Sequence, residues 1–276
     1  MGKEDMVTDS QKPWALVTGA SAGIGAEFCR QLAAKGYRLV LIARRQEKLQ
    51  AIADEIMTSH GAESLLITAD LSAKEAGRSI VERLENDNIS IEYLVNNAGY
   101  GLPGSYHVPD WQAHADFIQV MMTAVCELTR HLLPGMQQRG RGFIVNVASV
   151  AGLVASSAGH TLYGASKSFL IRFSESLALE NEHTGVKVTA LCPGFTYSEF
   201  HDVNGTREMI SGLPKYLWLD AKDVVADTLE AMSSDSVKPI VIPGIQYKFL
   251  VFANRYLPWL ANMLTKRNAK HFRVTD

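Results

Sequence analysis

Tyr163 and Lys167 put a phenol and an ammonium group four residues apart near the middle of this 276-residue chain. On a helix, that spacing brings the two side chains to one face, one turn apart. A tyrosine normally loses its proton near about pH 10, and a neighbouring positive charge favours the phenolate and lowers that pKa. A phenol with a pKa lowered toward neutrality can serve as a general acid or base. The same spacing also occurs on ordinary solvated helix faces, so the pair needs support from elsewhere in the chain.

A glycine-rich turn near the N-terminus supplies that support, because it follows a predicted strand and opens a predicted helix. Glycines allow a tight turn and the close approach of a pyrophosphate. The unpaired N–H groups at a helix N-terminus favour phosphate. The turn therefore predicts a nucleotide site that includes Thr18, Gly19, Ser21, Ala22, Gly23, Ile24 and Gly25.

Arg44 and Arg45 follow the second predicted strand, where NAD sites commonly carry an acidic residue for the ribose hydroxyl. Arginine at this point accommodates the 2′-phosphate of NADP, so the pair favours NADP(H) over NAD(H) as the cofactor. The alternative is that both are ordinary surface charges at the start of a helix. That placement opposes the helix dipole, which weakens the alternative.

Other candidate residues follow the third, fourth and fifth predicted strands. Asp70, with Leu71 after it, is predicted to meet the adenine amino group, although an N-cap or turn aspartate is the alternative. Small residues after the fourth strand would let a cofactor approach the backbone, and these are Asn97, Ala98 and Gly99. Ser149 follows the fifth strand, and its hydroxyl is a candidate to polarise a substrate carbonyl beside Tyr163; a turn residue is the alternative.

Short apolar segments alternate with helical patterns through residues 13–245, which predicts β-α-β units and a parallel sheet covered on both faces. The predicted strands are 14–18, 37–43, 65–68, 91–95, 142–148, 186–191 and 239–242. The predicted helices are 24–35, 46–60, 73–86, 111–139, 162–181 and 220–232. We expect an α/β fold, a Rossmann-type doubly wound parallel sheet in three layers. Its ligand should lie at the carboxyl ends of the strands, where the candidate residues fall.

No repeat, linker or composition change interrupts residues 13–245, so we expect one domain there. A flexible N-terminus, 1–12, precedes it, and a C-terminal helical extension, 246–276, follows it.

Together these motifs resemble those of the short-chain dehydrogenases/reductases. In order and spacing, the shared set is Thr-Gly-x-x-x-Gly-x-Gly at 18–25, Asn-Asn-Ala-Gly at 96–99, Ser149, Tyr163-x-x-x-Lys167 and Pro193-Gly194. The resemblance covers about residues 13–245. It implies a hydride exchanged between a nicotinamide and a carbonyl or alcohol.

The resemblance also implies a role for individual residues. Tyr163 would give or take the proton, Lys167 would bind the nicotinamide ribose and lower the tyrosine pKa, and Ser149 would orient the substrate. Three residues after the sixth strand would lie on the nicotinamide side: Pro193, Gly194 and Ser198, the last where the family often has a threonine. Family members are often homodimers or homotetramers, with the 111–139 helix and the Tyr163 helix at the interface.

One position departs from the family pattern. The family usually carries an asparagine in the helix after Asn-Asn-Ala-Gly, and its backbone holds a water that relays protons to the lysine. Here that position is Met121, which keeps the carbonyl but lacks a polar side chain. Two hypotheses remain open: an oxidoreductase with an altered relay, and an NADPH-binding regulator or scaffold with little turnover. The intact Ser149, Tyr163 and Lys167 favour the enzyme.

The segment after Pro193-Gly194 is rich in apolar side chains, which favours a small hydrophobic substrate such as a lipophilic or acyl-type carbonyl or alcohol. The alternative is that these residues only pack against the body of the protein. The C-terminal extension is apolar and then basic. The family resemblance implies that the segment after Pro193-Gly194 is a substrate lid. The extension is interpreted as a helix pair packed on this lid or on a second subunit, in preference to a helix lying in a membrane interface.

Composition excludes several classes of function. The net charge of −2 offers no general attraction to nucleic acid. The three cysteines, Cys29, Cys126 and Cys192, have neither metal-site nor disulfide spacing, which suits a reducing, cytoplasmic environment. The first residues lack the apolar run of a signal peptide, and no stretch of 18 uninterrupted apolar residues is present.

Overall fold

A computed structural model describes residues 12–102, 104–155, 159, 161–197 and 214–257. Within them, seven parallel strands form one sheet in the order β3-β2-β1-β4-β5-β6-β7. The strands are β1 (Trp14–Thr18), β2 (Arg38–Ala43), β3 (Ser64–Thr68), β4 (Ile91–Asn96), β5 (Gly142–Val147), β6 (Val186–Leu191) and β7 (Ile240–Val241). The strand order reverses between β1 and β4, which places the ligand crevice outside their carboxyl ends. The predicted Rossmann-type fold is confirmed.

Helices cover both faces of the sheet, so the central strands are apolar at nearly every position; all five residues of β1 are buried. The helices are α1 (Gly23–Ala34), α2 (Gln46–His60), α3 (Ala76–Asn86), α4 (Trp111–Ile118), α5 (Ala124–Gln138), α6 (Thr161–Glu180), α7 (Ala221–Ser233) and α8 (Ile245–Tyr256). One core contains side chains of α1, α2 and α7, and the other contains side chains of α3, α5 and α6. The sheet separates the two cores, which gives the three predicted layers.

The predicted 111–139 helix is interrupted. Between α4 and α5, Gln119–Thr123 form a π-helical turn, in which Val120 and Met121 are buried. A π turn bonds each N–H to the carbonyl five residues back, so it inserts one residue into the helix and is often found at functional sites. An apolar periodicity does not reveal such an insertion, because both flanking segments keep their helical pattern.

Helix α3 also begins later than predicted, at Ala76 instead of Ala73. The Asp70 carboxylate accepts bonds from the backbone N–H of Ser72, at 3.0 Å, and from its hydroxyl, at 2.8 Å. The turn continues through residues 73–75, which the sequence pattern assigns to the helix: the N–H of Ala73 donates to the Asp70 carbonyl, and the N–H of Ala76 donates to the Ala73 carbonyl. The turn role for Asp70, which the sequence left open, is therefore present in the structure.

The C-terminal helix α8 starts at the end of the predicted domain and runs over Ile245–Tyr256. Residues 258–276 lie outside the described part of the chain, so the extents 1–12, 13–245 and 246–276 remain predictions. Among the described residues, no helix has both the length and the apolar character that a membrane span requires.

Candidate active site

The glycine turn after β1 has the shape of a phosphate cradle. Gly19 has a φ of +65°, a conformation that favours glycine. A Cβ on Gly25 would lie 2.2 Å from the carbonyl oxygen of Gly19, so the first turn of α1 packs directly on the loop. The N-cap residue of α1, Ala22, has no side chain that could accept a bond from the first N–H groups. The turn therefore keeps its backbone donors for an anion.

Thr18 and Asn97 brace this turn against the end of β4. The Thr18 hydroxyl accepts bonds from the backbone N–H groups of Asn97 and Ala98, both at 3.0 Å. The Asn97 side-chain amide donates to the carbonyls of Thr18, at 3.0 Å, and Gly19, at 3.2 Å. These two side chains thus hold the loop in shape, and direct contact between them and the cofactor remains a prediction.

The arginine pair lies at one end of the crevice. Arg44 and Arg45 are exposed, and a guanidinium nitrogen of Arg45 donates to the Ser21 hydroxyl at 3.4 Å. Hydrogen bonds from Ser72 lower the pKa of Asp70, and the charge of Arg44 adds to this effect. The pair, Ser21 and Asp70 therefore form one cluster that could bind a phosphorylated ribose.

Two further residues border the arginine cluster. Leu71 is buried in the apolar core at 7% exposure, so its side chain is not part of the cluster. Tyr100 was missed by sequence reasoning. Burial raises its pKa, and both Arg44 and Asp70 act on it electrostatically. Its position directly after Asn-Asn-Ala-Gly was the only signal in the sequence.

Ser149 and Tyr163 are brought together at the carboxyl end of β5. Their hydroxyl groups share a hydrogen bond, which lowers the pKa of Tyr163 less than burial raises it. Ser149 is the N-cap of a short 3₁₀ turn, Val150–Gly152, and its hydroxyl accepts the Ala151 N–H at 3.1 Å. Oxygen Oγ of Ser149 also lies 3.5 Å from the carbonyl of Pro193 and donates to it. Two backbone segments therefore fix the serine hydroxyl beside the phenol.

Lys167 lies behind this pair but does not lower the tyrosine pKa as expected. Burial raises the pKa of Tyr163 to about 12, and burial lowers the pKa of Lys167 to about 8. The lysine Nζ donates to the carbonyl of Val147 at 2.7 Å and lies 5.6 Å from the centre of the Tyr163 ring. The expected lowering of the Tyr163 pKa is therefore not found in this structure, because desolvation of the phenol outweighs the hydrogen bond with Ser149.

The turn that carries Ser149 packs tightly against α6. A Cβ on Gly152 would lie 2.7 Å from backbone atoms of Lys167 and Ser168, so only glycine lets the turn approach this closely. The Ser168 hydroxyl also donates to the Gly152 carbonyl at 2.8 Å. Sequence reasoning did not identify Gly152, although a glycine three residues after a candidate catalytic serine was a signal.

A buried polar network sets the position of α6 relative to the sheet. The Asn146 amide in β5 accepts from the Asn96 side chain at 2.8 Å and donates to the Ser174 hydroxyl at 2.9 Å. Asn96 also donates to the Thr129 hydroxyl at 3.3 Å. The network joins β4, β5, α5 and α6, and so it determines where Tyr163 and Lys167 lie. Buried side-chain networks of this kind favour one arrangement of the packed elements.

Met121 lies in the π turn and packs against the loop after β4. It is 1% exposed, and a Cβ on Gly99 would lie 2.9 Å from its sulfur atom. A side chain at position 99 would therefore require the methionine thioether to move. The methionine is a packing element of the loop in this structure.

Tyr247 in α8 is a residue that sequence reasoning did not connect with the site. Its ring covers Gly194, where a Cβ would lie 1.9–2.2 Å from three ring carbons. Its hydroxyl accepts the Phe195 N–H at 2.9 Å and donates to the Leu217 carbonyl. The C-terminal helix is thus tied to the segment after β6. Ser198 and residues 199–213 lie outside the described part of the chain.

The family model for short chain dehydrogenases matches residues 13–208 of this chain. This chain belongs to the short-chain dehydrogenase/reductase family, whose members are NAD(P)-dependent oxidoreductases. A very-long-chain 3-oxoacyl-CoA reductase of Anas platyrhynchos is 36% identical over 197 residues, which are 69% of this chain and 62% of that protein. The chain therefore matches less than two thirds of that relative's length.

Two solved structures of the family are similar over most of the chain. A short-chain dehydrogenase from Sphingobium yanoikuyae in complex with NADPH is 30% identical, with a TM-score of 0.77 over 90% of this chain and 95% of that one. A bulky-bulky ketone specific alcohol dehydrogenase from Comamonas testosteroni is also 30% identical, with a TM-score of 0.73 over 90% of this chain and 94% of that one.

Proposed function

We propose that this protein is an NADP(H)-dependent reductase that exchanges a hydride with a hydrophobic ketone or secondary alcohol. The observation that carries the proposal is the hydrogen-bonded pair Ser149–Tyr163, held at the carboxyl end of β5 in front of Lys167. A carbonyl oxygen between the two hydroxyl groups would accept a hydrogen bond from each. Acid catalysis by a positioned side chain contributes about 10²–10⁴-fold to the rate.

The protonation state of Tyr163 favours the reductive direction. With a pKa of about 12, the phenol carries its proton at neutral pH and is ready to donate it to a developing alkoxide. Ser149 would hold the same oxygen with the hydroxyl proton that it donates to the Pro193 carbonyl in the structure, while the Ala151 N–H keeps its Oγ in place. The bound nicotinamide would supply the hydride. Lys167 would carry positive charge close to neutral pH, where it would favour the tyrosinate left after proton transfer.

The phosphate cradle and the arginine cluster support the choice of NADP(H). The glycine turn leaves its N–H donors for the pyrophosphate. A Cβ on Gly25 would overlap the Gly19 carbonyl oxygen, so the turn could not keep this shape with a larger residue. Arg44 and Arg45 supply two fixed positive charges, and Ser21 supplies a hydroxyl, where a 2′-phosphate would need them. A charge-assisted bond to phosphate stabilises binding by about 1.5–3 kcal/mol.

Aromatic side chains beside the segment 198–213 support a hydrophobic substrate. Trp218 stacks on Tyr197 with ring centres 4.8 Å apart and contacts Phe195 with ring centres 5.8 Å apart. The backbone N–H of Phe195 also donates to the Tyr247 hydroxyl. The Anas platyrhynchos reductase is named for a very-long-chain 3-oxoacyl thioester, and the Comamonas testosteroni dehydrogenase is named for bulky ketones. Both names are compatible with a hydrophobic substrate.

The test follows oxidation of NADPH by its absorbance with a panel of bulky ketones, steroid ketones and 3-oxoacyl thioesters. We expect turnover by the parent protein and a loss of about 10²–10⁴-fold in kcat for Tyr163→Phe. Tyr256→Phe, which changes an exposed tyrosine at the end of α8, is the matched control and should keep the parent rate. Equal turnover by Tyr163→Phe and the parent would contradict the mechanism.

A second candidate, a cofactor-binding regulator with little turnover, is favoured by Met121 at the position of the usual asparagine. This alternative predicts tight NADPH binding, measured by quenching of protein fluorescence, and no oxidation with any substrate in the panel. Met121→Asn should then remain inactive. A gain in rate on that substitution would instead support an enzyme with a weakened proton relay.

A further inference from the structure

Helix α8 has two faces of opposite character. On the inner face, Tyr247 is 2% exposed and makes the contacts with Gly194, Phe195 and Leu217 described above. The Gln246 side chain also donates to the Tyr216 carbonyl at 3.2 Å. These contacts fix the rotation of the helix about its own axis, so the opposite face must point away from the body of the protein.

The outward face carries four large apolar side chains, which we call the apolar stripe. It consists of Ile245, Phe249, Phe252 and Tyr256, at 78%, 69%, 56% and 62% exposure. The spacings of four, three and four residues place all four on one side of a helix. The rings of Phe252 and Tyr256 lie 4.8 Å apart, so the stripe is continuous at its end. Contiguous exposed apolar surface of this kind marks an interaction site.

The charge beside the stripe is of one sign. Lys248 and Arg255 are both exposed, and their spacing of seven residues puts them together along one edge of the stripe. In the sequence, residues 245–276 contain six Lys and Arg side chains and a single acidic one, Asp276, although the whole chain has 27 basic and 29 acidic side chains. The basic excess is therefore concentrated in the part of the chain that carries the stripe.

We propose that α8 docks on an anionic lipid surface, with the apolar stripe among the acyl chains and Lys248 and Arg255 at the headgroups. An amphipathic helix with large apolar side chains on one face and basic side chains beside them binds membranes in this way. With 12 residues, α8 is about 18 Å long, which is shorter than the roughly 30 Å hydrocarbon core. It therefore lies in the interface and does not cross the bilayer.

A lipid surface fits these residues better than a second copy of the chain does. In an antiparallel pair of copies joined through the stripe, Lys248 and Arg255 of each copy would lie on the same edge as those of the other. Like charges at an interface disfavour association, whereas anionic headgroups neutralise them. The proposal does not depend on the proposed catalytic function.

Docking of α8 on a lipid surface would also affect the residues that the inner face of this helix contacts. Tyr247 joins α8 to Phe195 and Leu217, which border the segment 198–213 on both sides. A helix docked by its outer face would therefore hold the border of this segment close to the lipid surface.

The test is flotation of the full-length protein with vesicles of phosphatidylcholine and phosphatidylserine, compared with vesicles of phosphatidylcholine alone. We expect the parent to float with the anionic vesicles and to be released by added salt. Phe249→Ser/Phe252→Ser should lower the bound-to-free ratio about tenfold or more, since it removes the apolar contact. Leu179→Ser, which removes a side chain of similar exposure from α6, should bind like the parent.

The charge arm of the test leaves the stripe intact. Lys248→Glu/Arg255→Glu should lose binding to anionic vesicles and keep its fold, measured by circular dichroism, while Lys35→Glu should still float. A parent protein that stays unbound with both vesicle types would overturn the proposal. So would a dimer in solution that Phe249→Ser/Phe252→Ser converts to a monomer, because the stripe would then be an interface between two copies.

Discussion

The ring of Tyr247 in α8 occupies the space where a side chain on Gly194 would lie, and its hydroxyl bonds to the backbone of the next residue, Phe195. The glycine after β6 was interpreted from the sequence as a residue of the nicotinamide side. In the structure it is also the contact through which the C-terminal helix reaches the site. Tyr247, which lies 53 positions further along the chain, is thus the reason why a side chain does not fit at position 194.

Gly194→Ala should therefore destabilise the protein. The added methyl group would overlap the Tyr247 ring, and overpacking of this kind costs about 1–3 kcal/mol. Urea unfolding should show this loss. Gly164→Ala is a matched control, because a Cβ there would lie 3.6 Å from its nearest neighbour.

Removing the ring should relieve the cost of Gly194→Ala. Tyr247→Ala opens space for the added methyl group, so the double variant should lose less stability than the two single variants added together. Strict additivity would mean that the two residues do not compete for the same space.

The pH dependence of stability should report the buried state of Lys167. Its folded pKa of about 8 lies below the ordinary lysine value of 10.5, so the folded protein binds its proton less tightly than the unfolded chain does. Below about pH 8 the charged lysine therefore costs stability, on the order of 3 kcal/mol, and this cost disappears as the pH rises toward 10.5. The neutral side chain of Lys167→Met avoids it at every pH.

The measurement is urea unfolding of the parent and of Lys167→Met between pH 7 and about 10. We expect the parent to gain stability relative to the variant above about pH 8. Two curves that stay parallel over this range would show that Lys167 is not desolvated in the folded protein.

Arg44 and Arg45 should set the preference for the phosphorylated cofactor. Each charge-assisted bond to phosphate is worth about 1.5–3 kcal/mol, so removing one should weaken NADPH binding about 10- to 100-fold. NADH binding should change little, because it lacks the 2′-phosphate. Titration of Arg44→Ala and Arg45→Ala with both cofactors measures the difference. Arg83→Ala, at the far end of α3, is the control and should bind NADPH and NADH like the parent. If Arg44→Ala and Arg45→Ala both kept the parent affinity for NADPH, the predicted role would be excluded.

Met121→Asn should destabilise the protein, although asparagine is the usual family residue at this position. The side chain is 1% exposed and its sulfur packs on Gly99, so an amide there would be buried beside an apolar surface. Burial of a polar group without a full set of partners costs about 1–3 kcal/mol. Thermal unfolding with Met122→Asn as the control tests this, since the neighbouring methionine is only partly buried. An equally stable Met121→Asn would mean that the π turn offers the amide its partners.

Local sequence features determined the elements and the motifs. The apolar runs predict the bounds of strands β1 and β6 correctly. Helix α2 ends at His60, where the following Gly61 predicts its end. The glycine turn, Ser149 and the Tyr163–Lys167 spacing depend on residues close together in the chain, and so they could be read directly. Family membership followed from their order and is confirmed.

Other properties depended on contacts between distant parts of the chain. The sequence predicted a lowered Tyr163 pKa, but burial in the folded protein raises it. The Lys167 ammonium donates a hydrogen bond to the Val147 carbonyl, which lies far from it in the sequence. The π turn at Met121 inserts a residue without altering the helical pattern on either side. The contact between Tyr247 and Gly194 joins segments whose spacing carries no signal. A sequence specifies which groups are available, whereas packing determines how much water each group loses and which neighbour it meets, and these decide its pKa and its role.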